Sequence, residues 1–250
     1  MLPGEPETKN QQPETMQVTE IYKSLQGESS HAGLPCVFVR LTGCNLRCSW
    51  CDSEFSFYGG HKMTAQEVLS EVMRLSPCGV GISARPGPLV EITGGEPMLQ
   101  EREVIPLMER LLEAGYQVLL ETSGERPLAR VPKPVIKIVD VKCPHSGEPD
   151  TFGEENLEFL QPHDELKFVL TDRTDYEFAR DFIRRHSLDR RVYALLLSPA
   201  FAKEASGARD TSHCFLDPQE VADWILSDNL PARLSLQIHK LIWDPAAKGV

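Results

Sequence analysis

The sequence predicts an α/β fold whose parallel sheet is built from right-handed βα units, either doubly wound or curled into a full or partial barrel. Three observations carry this. Strand-like apolar runs alternate with helical patterns along most of the chain. Three helix starts are marked by capping residues. The chain has 250 residues and is 41% hydrophobic, enough for one large buried core.

Taken in order, residues 1–15 are rich in Pro, Glu, Gln and Thr and lack apolar periodicity, so a mobile tail is expected ahead of one domain over 16–250. Strands are expected at Val18–Lys23, Cys36–Leu41, Leu89–Thr93, Gln117–Glu121, Val135–Val141, Glu165–Leu170, Val192–Leu197 and Arg233–Ile238. Thr64 with Glu67, and Thr174 with Glu177, match the capping-box spacing; Asp217 followed by Pro218 and Glu220 supplies an N-cap and a first-turn proline. The Pro/Gly-rich stretch Ser76–Pro88 reads as a loop. In such folds ligands gather where strands end and the following loops begin.

Composition narrows the function. Lys plus Arg number 26 against 37 Asp plus Glu, a net charge of −11, so the broad basic surface that neutralises phosphates is not expected, and nor is direct nucleic-acid binding. No apolar run of about 18 residues occurs and the N-terminus carries no apolar export signal, which predicts a cytoplasmic protein without a membrane partner. Seven cysteines, an odd number, speak against a full disulfide framework.

Three of those cysteines, Cys44, Cys48 and Cys51, form CxxxCxxC directly after the apolar strand ending at Leu41. Structural zinc takes four ligands, and the nearest further candidates, Cys36 and His61, lie on the expected strand and well down the loop. A cubane iron–sulfur cluster held by three cysteines leaves one iron open to bind something else. With Trp50 before the last cysteine, this spacing resembles the radical S-adenosylmethionine superfamily. Thr93-Gly94-Gly95-Glu96-Pro97 follows the next apolar strand and resembles the superfamily's motif for the methionine amino group; its glycines permit close backbone approach. The resemblance makes the partial or modified barrel the expected architecture.

Leu25-Gln26-Gly27-Glu28 before the cysteines, Asp52-Ser53 after them, and the segments ETSG (121–124), DVKCPHSG (140–147) and LQIHKLIW (236–243) together resemble the 7-carboxy-7-deazaguanine synthase family. The resemblance implies conversion of 6-carboxy-5,6,7,8-tetrahydropterin to 7-carboxy-7-deazaguanine with loss of ammonia. The reaction would be started by a 5′-deoxyadenosyl radical, with S-adenosylmethionine regenerated. It implies a [4Fe-4S] cluster on Cys44, Cys48 and Cys51, S-adenosylmethionine and Mg²⁺ as cofactors, an external electron donor such as flavodoxin or ferredoxin, and a homodimer.

Site roles follow from the same match. Leu25, Gln26, Gly27 and Glu28 fall on the substrate motif; the Gln26 amide offers a donor and an acceptor, and Glu28 accepts from pterin N–H groups. Arg40 lies on an otherwise apolar strand and requires an anionic partner, for which the substrate carboxylate is expected, with a structural ion pair as the alternative. Ser53 matches a hydroxyl ligand to Mg²⁺. Trp50, Cys51, Asp52, Gly94, Gly95, Glu96, Ser123 and Lys142 match cofactor contacts. Thr93, Gln237 and His239 match substrate contacts. Two rivals share the cysteine spacing or the cluster: a glycyl-radical-enzyme activating protein, against which the LQGE and CDS elements speak, and a non-enzymatic electron-transfer module.

Overall fold

The computed structural model describes residues 14–78, 87–203, 207 and 209–250. Most of the expected tail, and the middle of the Ser76–Pro88 loop, lie outside them. One mixed sheet of nine strands runs through the molecule: β1 Thr15–Leu25, β2 Pro35–Leu41, β3 His61–Thr64, β4 Leu89–Gly94, β5 Gln117–Thr122, β6 Ile136–Asp140, β7 Glu165–Leu170, β8 Ala194–Pro199 and β9 Arg233–Leu234. Their spatial order is β3-β1-β2-β4-β5-β6-β7-β8-β9. From β2 onward every neighbour in that order is parallel, while β1 pairs antiparallel with both β2 and β3. The edge strands β3 and β9 do not meet, so the barrel is partial and open.

Four helices cover one face: α1 Ala65–Leu75, α2 Glu101–Glu113, α3 Arg173–His186 and α4 Pro218–Ser227. The capping box at Thr64 forms as expected, with Thr64 Oγ1 accepting from the Glu67 N–H while Glu67 accepts from the Thr64 N–H. Asp217 caps α4 through the Gln219 N–H at 2.9 Å. The expected box at Thr174 gives way to Asp172, which accepts from the Asp175 N–H at 3.0 Å; a carboxylate caps a helix N-terminus at least as well as a hydroxyl, and Glu177 instead pairs with Arg173. The strand boundaries differ at the ends: β1 starts at Thr15, inside the expected tail, and β9 stops at Leu234 because the following residues turn inward to bond the β1–β2 loop.

Apolar side chains pack between helices and sheet in two clusters. One joins Val68, Val72, Leu107 and Leu111 to β1, β2, β4 and β5; the other joins Tyr176, Phe182 and Val221 to β7 and β8. Period-two alternation sends the other residues of each strand to the inner face. There Cys36, Phe38, Leu89, Leu119, Ile136 and Ile138 make a small apolar base, and one step along each strand Arg40, Thr93, Glu121, Asp140 and Lys167 form a polar mouth.

The loop after β5 is held by Asn156, which is fully buried. Its Nδ2 donates to the Gly124 and Arg126 carbonyls at 2.8 and 3.0 Å, and its Oδ1 accepts from the Leu128 N–H at 2.8 Å. Asn156→Ala leaves the Leu128 N–H and the Arg126 carbonyl unpaired, while the Gly124 carbonyl still accepts from the Gly153 N–H, so a loss of about 2 kcal/mol of stability is expected, read from the denaturant midpoint. A loss under about 0.5 kcal/mol would show that water replaces the amide.

Candidate active site

A cleft enclosing about 520 Å³ opens at the C-terminal ends of the parallel strands. Among the segments that line it are the cysteine loop after β2, the glycine turn after β4, and the β1–β2 loop, which crosses the inner face of the sheet.

Cys44, Cys48 and Cys51 are free and half-buried on one loop. Their sulfurs do not all lie within 4.8 Å of one another. Three ligands of one tetrahedral zinc at 2.3 Å would sit about 3.8 Å apart, so this spread suits a polynuclear cluster better. Arg47 staples the loop by donating to the Cys44 and Leu46 carbonyls at 2.8 and 2.6 Å with its guanidinium over Phe57. The DVKCPHSG segment buttresses it from behind: the Ser49 N–H donates to Ser146 O at 2.7 Å, Ser49 Oγ to His145 O at 2.8 Å, and the Arg47 N–H to Glu148.

The turn after β4 lies against this loop. A Cβ at Gly95 would collide with the Gly43 carbonyl and Cys44 Cβ, so the approach requires glycine. Glu96 is 1% exposed and points away from the cleft: it caps the next helical turn through the Met98 N–H and accepts from Thr122 Oγ1 and from Ser123 N–H and Oγ at 2.7–2.8 Å. It thereby sets the position of Ser123, which lines the cleft together with Trp50, Gly94 and Lys142. Lys142 is paired with Asp140 at 2.8 Å.

The β1–β2 loop carries the LQGE motif into the interior. Gln26 Nε2 donates to Glu91, and Gln26 Oε1 accepts from the Glu28 N–H. Glu28 accepts from Lys167 at 2.9 Å and from Gln237 Nε2 at 2.7 Å. Burial pushes the Glu28 carboxyl up, but the charges of Lys167 and His239 and the Gln237 hydrogen bond outweigh it and hold it well below the usual carboxylate range. His239 packs over Gly27, where any Cβ would strike its ring, and burial pushes its imidazole below the ordinary value. Deeper still, Ser30 bonds Glu165 and anchors the loop to β7.

Arg40 lines the cleft, and an anionic partner stands beside it in the chain: its Nε donates to Glu20 at 2.9 Å and its Nη2 to Tyr22 Oη at 3.0 Å. Asp52 pairs with the buried Lys240 at 2.7 Å, which ties the C-terminal segment to the cysteine loop. Ser53 Oγ lies 3.6 Å from Cys51 Sγ, and Leu25 and Thr93 line the cleft. Sequence reasoning passed over Glu20, Glu91, Glu121, Asp140, Lys167 and Lys240. For the four on β4 to β7 the signal was the one used for Arg40: a charged residue inside a strand whose neighbours are apolar on both sides, as in LVEIT or ELKFVL.

The profile of the 4Fe-4S single cluster domain family matches residues 26–143. A 7-carboxy-7-deazaguanine synthase of Koribacter versatilis is 62% identical over 94% of this chain and 100% of its own length. Another, from Chlorobaculum tepidum, is 37% identical over 94% of this chain and 97% of its own. The crystal structure of QueE from Escherichia coli superposes with a TM-score of 0.66 at 22% identity, covering 89% of this chain and 93% of that one, which establishes the shared fold. The chain belongs to the 7-carboxy-7-deazaguanine synthase family of radical S-adenosylmethionine enzymes.

Proposed function

We propose that the protein converts 6-carboxy-5,6,7,8-tetrahydropterin to 7-carboxy-7-deazaguanine with release of ammonia. The observation that carries this reading is the convergence of the cysteine loop, the glycine turn and the LQGE loop on one cleft. Cys44, Cys48 and Cys51 would hold a [4Fe-4S] cluster, whose chemistry when bound is to deliver an electron to the sulfonium of S-adenosylmethionine. Trp50, Asp52, Gly94, Gly95, Ser123 and Lys142 form the S-adenosylmethionine side of the cleft, with Glu96 acting on it through Ser123.

The pterin occupies the inner part. The ionised Glu28 carboxylate and the Gln26 amide take its N–H-bearing edge, with Leu25, Gly27, Thr93, Gln237 and His239 around it. Arg40, two of whose nitrogens are held by Glu20 and Tyr22, keeps Nη1 for the substrate carboxylate. Ser53 would supply a hydroxyl ligand to Mg²⁺, whose charge would help neutralise the substrate carboxylate. The reductant is an external electron donor such as flavodoxin or ferredoxin, the assembly is a homodimer, and residues 16–250 act as one catalytic domain in the cytoplasm. Among the described residues no helix is long and apolar enough to cross a membrane.

Anaerobic turnover with S-adenosylmethionine, dithionite, Mg²⁺ and the pterin, read by mass spectrometry, tests the proposal. 7-Carboxy-7-deazaguanine is the expected product; 5′-deoxyadenosine without it would move the substrate elsewhere. Ser53→Ala should keep the cluster spectrum while reducing the Mg²⁺ stimulation of turnover about tenfold, the scale on which an outer or weak ligand acts. An unchanged Mg²⁺ dependence would remove Ser53 from the metal site.

A further inference from the structure

Four carboxyl groups face the inner cleft, and three share one cation. Lys167 Nζ lies 2.9 Å from Glu28 and 3.8 Å from Asp140 and bonds Glu121. Glu91 is the fourth and is not among these partners. It sits on β4, 5% exposed, with Phe38 of β2 and Leu119 of β5 as its register neighbours. Its side-chain hydrogen-bond partner among the described residues is the Gln26 amide, whose Nε2 donates to Glu91 Oε2. The other end of that amide, Oε1, accepts from the Glu28 backbone N–H at 3.0 Å. Both contacts demand the same orientation, because a flipped amide would set NH₂ against N–H.

We propose that Glu91 is a positioning residue: by holding Nε2 it pins the Gln26 side chain, so that the remaining N–H and lone pair of the amide meet the pterin edge in one fixed geometry. The inference rests on the assignment of Gln26 to the pterin under Proposed function. A carboxyl buried without a cation keeps its proton, and burial together with the Glu121 and Glu28 charges pushes Glu91 up to about 8. Its carbonyl oxygen still accepts from Gln26 in that form, and no further negative charge crowds Glu28. Tyr22, Cys36 and Lys167 are the other titratable groups around it.

The test uses Glu91→Leu and Glu91→Gln, each in the wild-type and the Gln26→Ala background. Cluster-loaded protein is measured for kcat and KM with the pterin, and for pterin binding by titration calorimetry. Glu91→Leu should raise KM and Kd about tenfold with kcat within about twofold, while Glu91→Gln, which retains a carbonyl acceptor, stays within about threefold of wild type. In the Gln26→Ala background Glu91→Leu should add nothing. An unchanged KM, a fall in kcat alone, or an equal tenfold effect without Gln26 overturns the proposal. If leucine disrupts the floor, seen as lost cooperative unfolding, Glu91→Ala decides by the same KM split. A wild type that neither binds nor converts the pterin would instead overturn the functional reading itself, and with it the substrate this inference names.

Discussion

Cys48→Ala is expected to abolish cluster assembly and to lower S-adenosylmethionine cleavage by at least about a thousandfold, since two thiolates cannot hold a cubane that already lacks a fourth cysteine. Cys214→Ala is the control. That thiol is half-buried and lies outside the cysteine loop and outside the lining of the cleft, so it has no part in holding the cluster. Iron content and the EPR signal of the reduced protein should therefore fall in the first variant and stay unchanged in the second. Equal losses in both would mean that the cluster is not held by the loop.

Lys167→Met should be the most damaging change outside the cysteines. It leaves Glu28, Glu121 and Asp140 facing one another without their shared ammonium, and the removal of one partner from a buried charge cluster costs about 3–5 kcal/mol. The pH dependence gives the sign. Burial raises the Glu121 carboxyl to about 7 although Lys167 opposes the shift, so without Lys167 it rises further. Above the ordinary carboxylate value the unfolded chain releases this proton while the folded chain keeps it, so stability drops as pH rises. Glu28, now held low by Lys167, loses that support and moves the same way. The gap between wild type and variant in unfolding free energy should be smallest near pH 5 and widen toward pH 8. A gap that does not change with pH would show that the three carboxylates do not depend on the ammonium. Turnover should fall about a hundredfold, because Glu28 loses its anchor.

The parallel sheet, its strand order of appearance and the cysteine loop were legible because each rests on local pattern: apolar runs, caps and a contiguous motif. Asp172 was missed as the α3 cap because Thr174 and Glu177 satisfied the same spacing two residues later. The partners of the motif residues were harder to read. Glu28 meets Lys167 and Gln237, and Asp52 meets Lys240, across distances in sequence over which no pattern speaks. Arg40 shows both halves of this. Its charge in an apolar strand announced a partner, but β1 pairing set Glu20 opposite it, and that pairing is a tertiary fact.

The loop that carries Gln26 and Glu28 across the sheet bears on how the molecule assembles. Its contacts close chain separations of 65 residues to Glu91, 135 to Glu165, 139 to Lys167 and 209 to Gln237. Such closures are entropically slow, and the last cannot form until nearly all of the chain has been synthesised. The cysteine loop, by contrast, has all three of its thiols by Cys51, far ahead of Lys167 and Gln237. Nascent protein thus displays its three thiols well before the substrate floor exists, which gives iron delivery a window ahead of pocket closure and makes the floor the final element to mature.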